Sequence, residues 1–65
     1  MSHYARMQIE HLELQNKCRA LLAFIESNPI FETLAKEDQD LMTEQYFHMK
    51  MYSRCLLWRM GRMEK

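Results

Sequence analysis

Mostly apolar residues recur through the first 27 positions with the alternating spacings of three and four that one face of an α-helix produces. They are Tyr4, Met7, His11, Leu14, Cys18, Leu21 and Ile25. Ser2 is a residue type that caps helix N-termini. Pro29 lacks an amide donor and disfavours helical geometry at Asn28. The pattern therefore predicts a helix over about residues 3–27.

A second row with the same spacing runs through the C-terminal half of the chain. It consists of Met42, Gln45, Met49, Tyr52, Leu56, Arg59 and Met63. Glu37 and Asp38 precede it, and acidic residues favour the positive end of a helix dipole. Gly61 is a residue type that ends helices. We therefore expect a second helix over about residues 36–60.

The segment 28–35 is a short linker that contains one amphipathic turn. We expect Ile30, Phe31 and Leu34 to form a helical turn that covers the adjoining end of the two helices. No alternating run predicts a strand. The expected fold is all-α, an antiparallel two-helix hairpin that forms a single domain over residues 1–65. In this hairpin, residues whose numbers sum to about 64 lie opposite each other.

The second helix carries another apolar row that the hairpin does not cover. Phe47, Met51 and Trp58 form this row, with Arg54 between them, and Phe24 adds an apolar position on the first helix. A 65-residue chain buries too little apolar surface to be stable without further support. We therefore expect a helical homo-oligomer. Its candidate interface residues are Phe24, Phe47, Met51 and Trp58.

Charge and composition exclude several classes of partner. The formal net charge is zero, so the chain has no long basic track for extended DNA or RNA. Residues 26–44 hold six acids and one base, whereas residues 45–65 hold five bases and one acid. No uncharged run approaches the ~20 residues of a membrane-spanning helix. Two cysteines without a signal sequence favour a reducing, cytoplasmic compartment.

Catalysis and metal binding find little support in the residue pattern. The chain has no Gly-rich phosphate loop, no nucleophile in a recognisable setting and no carboxylate pair on an apolar face, so we expect no enzyme and no cofactor. His3, His11, His48, Cys18 and Cys55 lack the close spacing of a metal site. We interpret the cysteines as buried apolar residues and the histidines as interfacial ones.

The basic end of the second helix is the candidate ligand site. Hairpin pairing brings the chain start beside it, and arginines bind phosphate bidentately while aromatic rings stack on bases. The candidate ligand-binding residues are Tyr4, Arg6, Trp58, Arg59 and Arg62. The alternative is that these bases only complement the helix dipole and solubilise an exposed end. Arg59 and Gln45 belong to the row that we expect to pack against the first helix. For these two residues the alternative is hydrogen bonding within the bundle, with Arg59 pairing to Glu10.

Three segments resemble a family of very short proteins encoded by tailed phages and prophages. They are Leu21-Leu22-Ala23-Phe24-Ile25, then Phe31-x-x-Leu34-x-x-Glu37-Asp38, then Gln45-x-x-x-Met49-x-x-Tyr52-x-x-x-Leu56-x-x-Arg59. The family is described by kinship to a crAss-like phage protein. Ala35 departs from the Ser or Asp cap expected before the acidic turn.

More distantly, the layout is similar to helical-hairpin phage proteins that sequester cyclic nucleotide immune signals of defence systems such as CBASS and Thoeris. This resemblance implies small hairpins, an oligomer and ligand pockets between subunits. The leading hypothesis is a non-catalytic, phage-borne anti-defence protein that sequesters a small cyclic nucleotide in the host cytoplasm. The alternatives are an inhibitor that binds a host defence protein through its exposed aromatic and methionine face, and a purely structural assembly subunit.

Overall fold

The computed structural model describes residues 2–63, which form three α-helices and no strand. Helix α1 spans His3–Ser27, α2 spans Pro29–Thr33 and α3 spans Lys36–Met63. The predicted all-helical class is therefore confirmed. The molecule is a rod with principal extents of 47 × 16 × 15 Å, since α1 and α3 lie side by side along its length.

Polar side chains determine where α1 begins and ends. The Ser2 Oγ accepts a hydrogen bond of 3.1 Å from the Ala5 amide, so Ser2 caps α1 as predicted. Asn28 has an extended backbone and ends α1. Its side-chain Oδ1 accepts a 2.9 Å hydrogen bond from the Ile30 amide and thereby caps α2, whose first residue is Pro29. One asparagine thus serves both helix termini.

Helix α3 begins where the acidic turn predicts and ends later than predicted. Ala35 stands before it without a capping side chain, and its carbonyl accepts hydrogen bonds of 3.0 Å from the Asp38 and Gln39 amides. The expected end near residue 60 is wrong, because the helix continues through Gly61 to Met63. A glycine ends a helix by adopting a positive φ, and Gly61 does not have one.

The α1 side of the contact with α3 lies where the pattern predicts. Met7, His11, Leu14 and Cys18 are buried, and Tyr4, Leu21 and Ile25 of the same row are partly buried. Every member of the predicted row therefore faces the interior to some degree. The spacing of three and four along α1 is sufficient to identify its buried face.

On α3 the predicted row is only partly correct. Met49 is partly buried and Leu56 fully buried, but Gln45, Tyr52, Arg59 and Met63 are exposed. The residues that complete the buried face are Tyr46, Ser53 and Met60. The predicted row and a second row with the same spacing share Met42, Met49 and Leu56. In the structure it is the second row, which contains Tyr46, Ser53 and Met60, that faces α1. That rotation gives buried His11 a polar partner on α3, as described below.

Opposing residues show that α1 and α3 run antiparallel. The His11 Nε2 and the Ser53 Oγ lie 3.1 Å apart across the two helices. Tyr4 and Met60 line one cavity between the helices, and Cys18 and Tyr46 line another. In all three pairs the residue numbers sum to 64, the predicted register.

The linker is attached to both long helices. The Phe31 ring packs edge-on against the Phe24 ring of α1, with centroids 6.2 Å apart. The Gln39 Nε2 of α3 donates hydrogen bonds of 2.9 Å to the Phe31 carbonyl and 3.1 Å to the Leu34 carbonyl. Phe31 and Leu34 are partly buried as expected, but Ile30 is exposed, so its predicted role in covering the helix ends is wrong.

The apolar core of the described residues is small. It contains five buried apolar side chains, of which only Leu56, at 1% exposure, is fully enclosed. Large exposed apolar side chains are more numerous. They are Ile9, Leu12, Ile30, Leu41, Phe47, Met51, Tyr52, Leu57, Trp58 and Met63. A large part of the apolar surface of the described residues is therefore available for contacts with other molecules.

Candidate functional site

A shallow basic cavity lies at the end of the rod where α1 begins and α3 ends. Its volume is about 290 Å³, and it is lined by His3, Met7, Arg59, Arg62 and Met63. The antiparallel packing of α1 against α3 brings these residues together, because His3 lies beside the last turn of α3. The two methionines provide an apolar floor beside the two guanidinium groups.

Arg59 and Arg62 are the charged groups of this cavity. They are three residues apart on α3, which places both side chains on neighbouring positions of one turn. Both are exposed, and neither forms an ion pair with a carboxylate of residues 2–63. The positive end of the α1 dipole lies beside the negative end of the α3 dipole, so the two dipoles offset each other here. The positive charge at the cavity therefore comes from the arginines.

A second cavity, of about 430 Å³, opens in the groove between α1 and α3 at the same end of the molecule. Buried Met60 and His11 lie at its base. Its walls carry hydroxyl, amide and aliphatic groups, from Tyr4, Gln8, Leu12, Gln15, Leu57 and Gly61. The groove is polar without being charged, so it is suited to hydrogen bonding with a base or a sugar rather than to holding a phosphate.

The structure distributes the five predicted ligand residues over different surfaces. Arg59 and Arg62 share the basic cavity, whereas Tyr4 lines the groove. Arg6 is exposed and lines neither of these cavities. Trp58 is 65% exposed, and the guanidinium carbon of Arg54 lies over its ring, 4.6 Å from the ring centroid. One chain thus brings two arginines together without an aromatic platform, and the ligand role of the five stays a prediction.

The groove residues Gln8, Gln15 and Leu57 were not singled out from the sequence. The pairing register finds Gln8, because it places Gln8 opposite Leu57, whereas Gln15 is identified only by the cavities that it lines. Glutamine on a helix gives no chemical signature by itself. The structure shows that both amides open onto the same groove as Tyr4.

A third cavity, of about 530 Å³, lies along one side of α3. Leu41, Gln45, Met49 and Tyr52 line it together with Glu44 and His48, whose side chains are 3.3 Å apart. All of its lining residues belong to one helix. A small ligand would be covered on one side only, so this surface has the shape of a contact area rather than of a pocket.

The predicted partner row of α3 is exposed along its length. Phe47 and Met51 are 61% and 51% exposed, and Trp58 lies farther along the same face. Phe24, the fourth predicted interface residue, is partly buried because its ring packs against Phe31. The part of Phe24 that is exposed lines a cavity together with Pro29.

The potential metal ligands are scattered over the described part of the chain. Among residues 2–63 no three His, Cys, Asp or Glu side chains form a group that could hold a metal ion. Cys18 is buried, and the expectation that Cys55 is buried too is wrong, since it is exposed; both thiols are free. His48 is exposed and contacts Glu44 one turn away. Within the same residues, no helix has the length and apolar character needed to cross a bilayer.

Together, the fold and these surfaces define a class: a small all-helical protein with shallow surface cavities, a basic end and an exposed aromatic face. A family model described as Sequestin matches residues 1–62, so the chain belongs to the Sequestin family. The chain is also 36% identical over 56 residues to the "Uncharacterized 7.5 kDa protein in denB-rIIB intergenic region" of Enterobacteria phage T4. That match covers 86% of each chain. No solved structure matches.

These comparisons confirm part of the resemblance noted in the sequence. The chain belongs to a family of small phage proteins. Kinship to a crAss-like phage protein and to the cyclic-nucleotide sponges stays a prediction.

Proposed function

We propose that this protein is a phage-borne anti-defence protein that sequesters a small nucleotide immune signal, of which a cyclic nucleotide is the leading candidate. It binds without turnover and acts in the cytoplasm of the infected cell as a helical-hairpin oligomer. The observation that carries the proposal is the pair of exposed guanidinium groups, Arg59 and Arg62, beside the apolar floor of one cavity. The family name, which refers to sequestration, supports the same conclusion.

The basic cavity is suited to a phosphate rather than to a whole nucleotide. Its volume of about 290 Å³ is at the lower limit for small-molecule sites. Arginine forks bind phosphate oxygens bidentately, and two of them one turn apart can hold a phosphodiester. The base of the nucleotide then needs a second surface with aromatic or amide groups.

Two other surfaces of the chain offer such groups. The groove carries Tyr4 and the Gln8 and Gln15 amides, and the outer face of α3 carries Trp58. Since the basic cavity and the groove lie on different sides of one chain, a complete site is assembled when a second copy brings its groove or its Trp58 next to the arginines. Oligomerisation is therefore part of the proposed binding mechanism.

Calorimetry and thermal shift with a panel of cyclic di- and trinucleotides test this proposal. A ligand at one hundred times its Kd stabilises the folded state by about 2.7 kcal/mol, which raises Tm by roughly 10–20 °C for a domain of this size. The variant Arg59→Ala with Arg62→Ala is expected to lose this shift. Lys17→Ala with Arg19→Ala removes the same charge from exposed positions of α1 and is the matched control. If no nucleotide changes Tm or releases heat, the proposal fails.

A second candidate function is inhibition of a host protein through Phe47, Met51 and Trp58. The exposure of this row favours it, because large aromatic side chains are the usual anchors of protein interfaces. A pull-down from host lysate separates the two functions. The inhibitor hypothesis requires that Trp58→Ala abolishes capture of one host protein while nucleotide addition has no effect on that capture. A purely structural subunit would show neither activity.

A further inference from the structure

Six exposed residues on the outer side of α3 repeat at alternating spacings of four and three. They are Asp40, Glu44, Phe47, Met51, Arg54 and Trp58. This is the spacing of a two-stranded coiled-coil seam, where each side chain meets a helix that lies alongside. We call these six residues the outer row. The row spans 18 residue steps, about 27 Å at 1.5 Å per residue.

The outer row is arranged symmetrically about position 49. If a second α3 runs antiparallel, with residue numbers that sum to 98, Phe47 meets Met51 of the second copy. Glu44 meets Arg54 in the same register, and Asp40 meets Trp58 at each end. A two-fold axis makes each of these contacts twice, as an isologous interface requires. We propose that the outer row is the surface through which two copies of this chain form an antiparallel dimer.

Charge decides the direction of this pairing. In the antiparallel arrangement Glu44 of each copy lies opposite Arg54 of the other, whereas a parallel arrangement places Glu44 against Glu44 and Arg54 against Arg54. Opposite charges across an interface fix its orientation, and like charges suppress the wrong one. The central apolar pair, Phe47 with Met51, is then flanked on both sides by attractive charge pairs.

Neither charge is explained by the dipole of its own helix. The dipole of a helix acts on charges in its first and last turn. Glu44 and Arg54 both lie more than two turns from the ends of α3, at Lys36 and Met63. Within residues 2–63, Glu44 contacts His48 at 3.3 Å, and Arg54 makes a cation–π contact with Trp58 but no ion pair. Both groups can therefore engage a second copy.

The apolar part of the row is large enough to contribute to a stable interface. Large aromatic side chains bury about 150–250 Å² each. Phe47 and Trp58 are more than 60% exposed, so these two aromatic side chains offer roughly 200–300 Å² of apolar surface, to which half-exposed Met51 adds. A standard interface buries about 800 Å² on each partner, and the charged and flanking side chains along the row supply the remainder. A host protein on this surface is the competing outcome, which the experiment below distinguishes.

This dimer is a different contact from the one that completes the proposed ligand site, because antiparallel pairing places the arginines and the groove of the two copies at opposite ends. It does not depend on a nucleotide. Arg59 and Arg62 lie outside the outer row, and they stay accessible at both ends of the antiparallel dimer. Nucleotide calorimetry therefore tests the proposed function, and the mass of the particle in solution tests the dimer. A wild-type dimer that binds no nucleotide overturns only the proposed function, and a nucleotide-binding oligomer whose mass does not change when Glu44 or Arg54 is exchanged overturns only the outer-row dimer.

A charge exchange between two variants tests the pairing directly. Glu44→Arg alone and Arg54→Glu alone each place like charges opposite one another twice, so each is expected to raise the dimer dissociation constant tenfold or more in analytical ultracentrifugation. An equimolar mixture of the two variants restores both attractive pairs. We therefore expect the mixture to form a heterodimer with wild-type-like affinity.

The control variants change the same charges away from the outer row. Glu13→Arg and Arg19→Glu lie at exposed positions of α1 and are expected to leave the dimer unchanged. A mixture that stays as dissociated as its two components contradicts the proposed pairing. If the variants do not fold, the dimer is tested by diluting the wild-type protein and recording its fluorescence, because its single tryptophan, Trp58, lies in the outer row. Trp58 emission is expected to shift to the red as the dimer dissociates, whereas a constant emission with a monomer mass overturns the proposal.

Discussion

The His11 Nε2 and the Ser53 Oγ lie 3.1 Å apart and join the middle of α1 to the middle of α3. His11 is 9% exposed and is the only polar side chain in the buried set of residues 2–63. A buried polar group requires a hydrogen-bond partner, and Ser53 is in position to provide one. This contact explains why α3 turns Ser53 inward and leaves Tyr52 outside.

Ser53→Ala is expected to destabilise the protein by about 1–3 kcal/mol, because it leaves a buried imidazole nitrogen without its partner. The variant His11→Leu with Ser53→Ala removes both polar groups and is expected to recover most of that loss. Chemical denaturation followed by circular dichroism measures the differences. Ser27→Ala, at an exposed helix end, is the control. If Ser53→Ala alone is as stable as the wild type, the contact between His11 and Ser53 contributes nothing to stability.

Leu56 and Leu57 are neighbours with opposite environments, at 1% and 50% exposure. Leu56→Ala is expected to cost about 2–5 kcal/mol, because it leaves a cavity in a core of five side chains. A domain of this size has about 3–5 kcal/mol of stability, so the variant is expected to be largely unfolded at 25 °C. Leu57→Ala should cost less than about 1 kcal/mol in the same thermal melt. Equal effects would contradict the buried face assigned to α3.

Gly61→Ala is expected to raise the stability by about 0.5–1 kcal/mol. Gly61 lies within α3 without a positive φ, and an added Cβ would meet nothing within 4 Å. Alanine therefore improves helix propensity at no steric cost, and Tm should increase by a few degrees. A lower Tm would mean that the glycine ends the helix, as its residue type alone suggests.

Gln39 ties α3 to the linker through its two hydrogen bonds to backbone carbonyls. Gln39→Ala is expected to cost about 1–2 kcal/mol and to increase amide hydrogen exchange in α2. Gln45→Ala, an exposed glutamine of the same helix, is the control. Unchanged exchange in Pro29–Thr33 would show that α2 is held by the Phe24–Phe31 contact instead.

Local signals in the sequence predict the helices and the buried face of α1. Ser2, Asn28 and Pro29 act within a few residues of themselves, so their positions are sufficient to place the ends of α1. The rotation of α3 depends on a contact between distant residues. Two rows share Met42, Met49 and Leu56, and the one that faces α1 leaves Gln45 and Arg59 exposed and places Ser53 opposite His11.

The candidate ligand site also depends on contacts between distant residues, which local sequence signals do not predict. The pairing register brings Arg59 and Arg62 next to His3, as the hairpin model expects. The direction in which each side chain points around the helix depends on the rotation of α3. For that reason Trp58 lies on the outer side of α3, whereas Tyr4, on α1, opens onto the groove. The missed polar residues Gln8 and Gln15 become visible only when the groove is known.

Native mass spectrometry of the protein, purified from infected cells with an active nucleotide-signalling defence, tests the central proposal most directly. Nucleotide sequestration predicts an oligomer that carries a bound phosphate-containing ligand, and the Arg59→Ala with Arg62→Ala variant should lose that ligand. The Lys17→Ala with Arg19→Ala control should retain it. An oligomer or monomer that carries no small molecule from such cells would contradict the account.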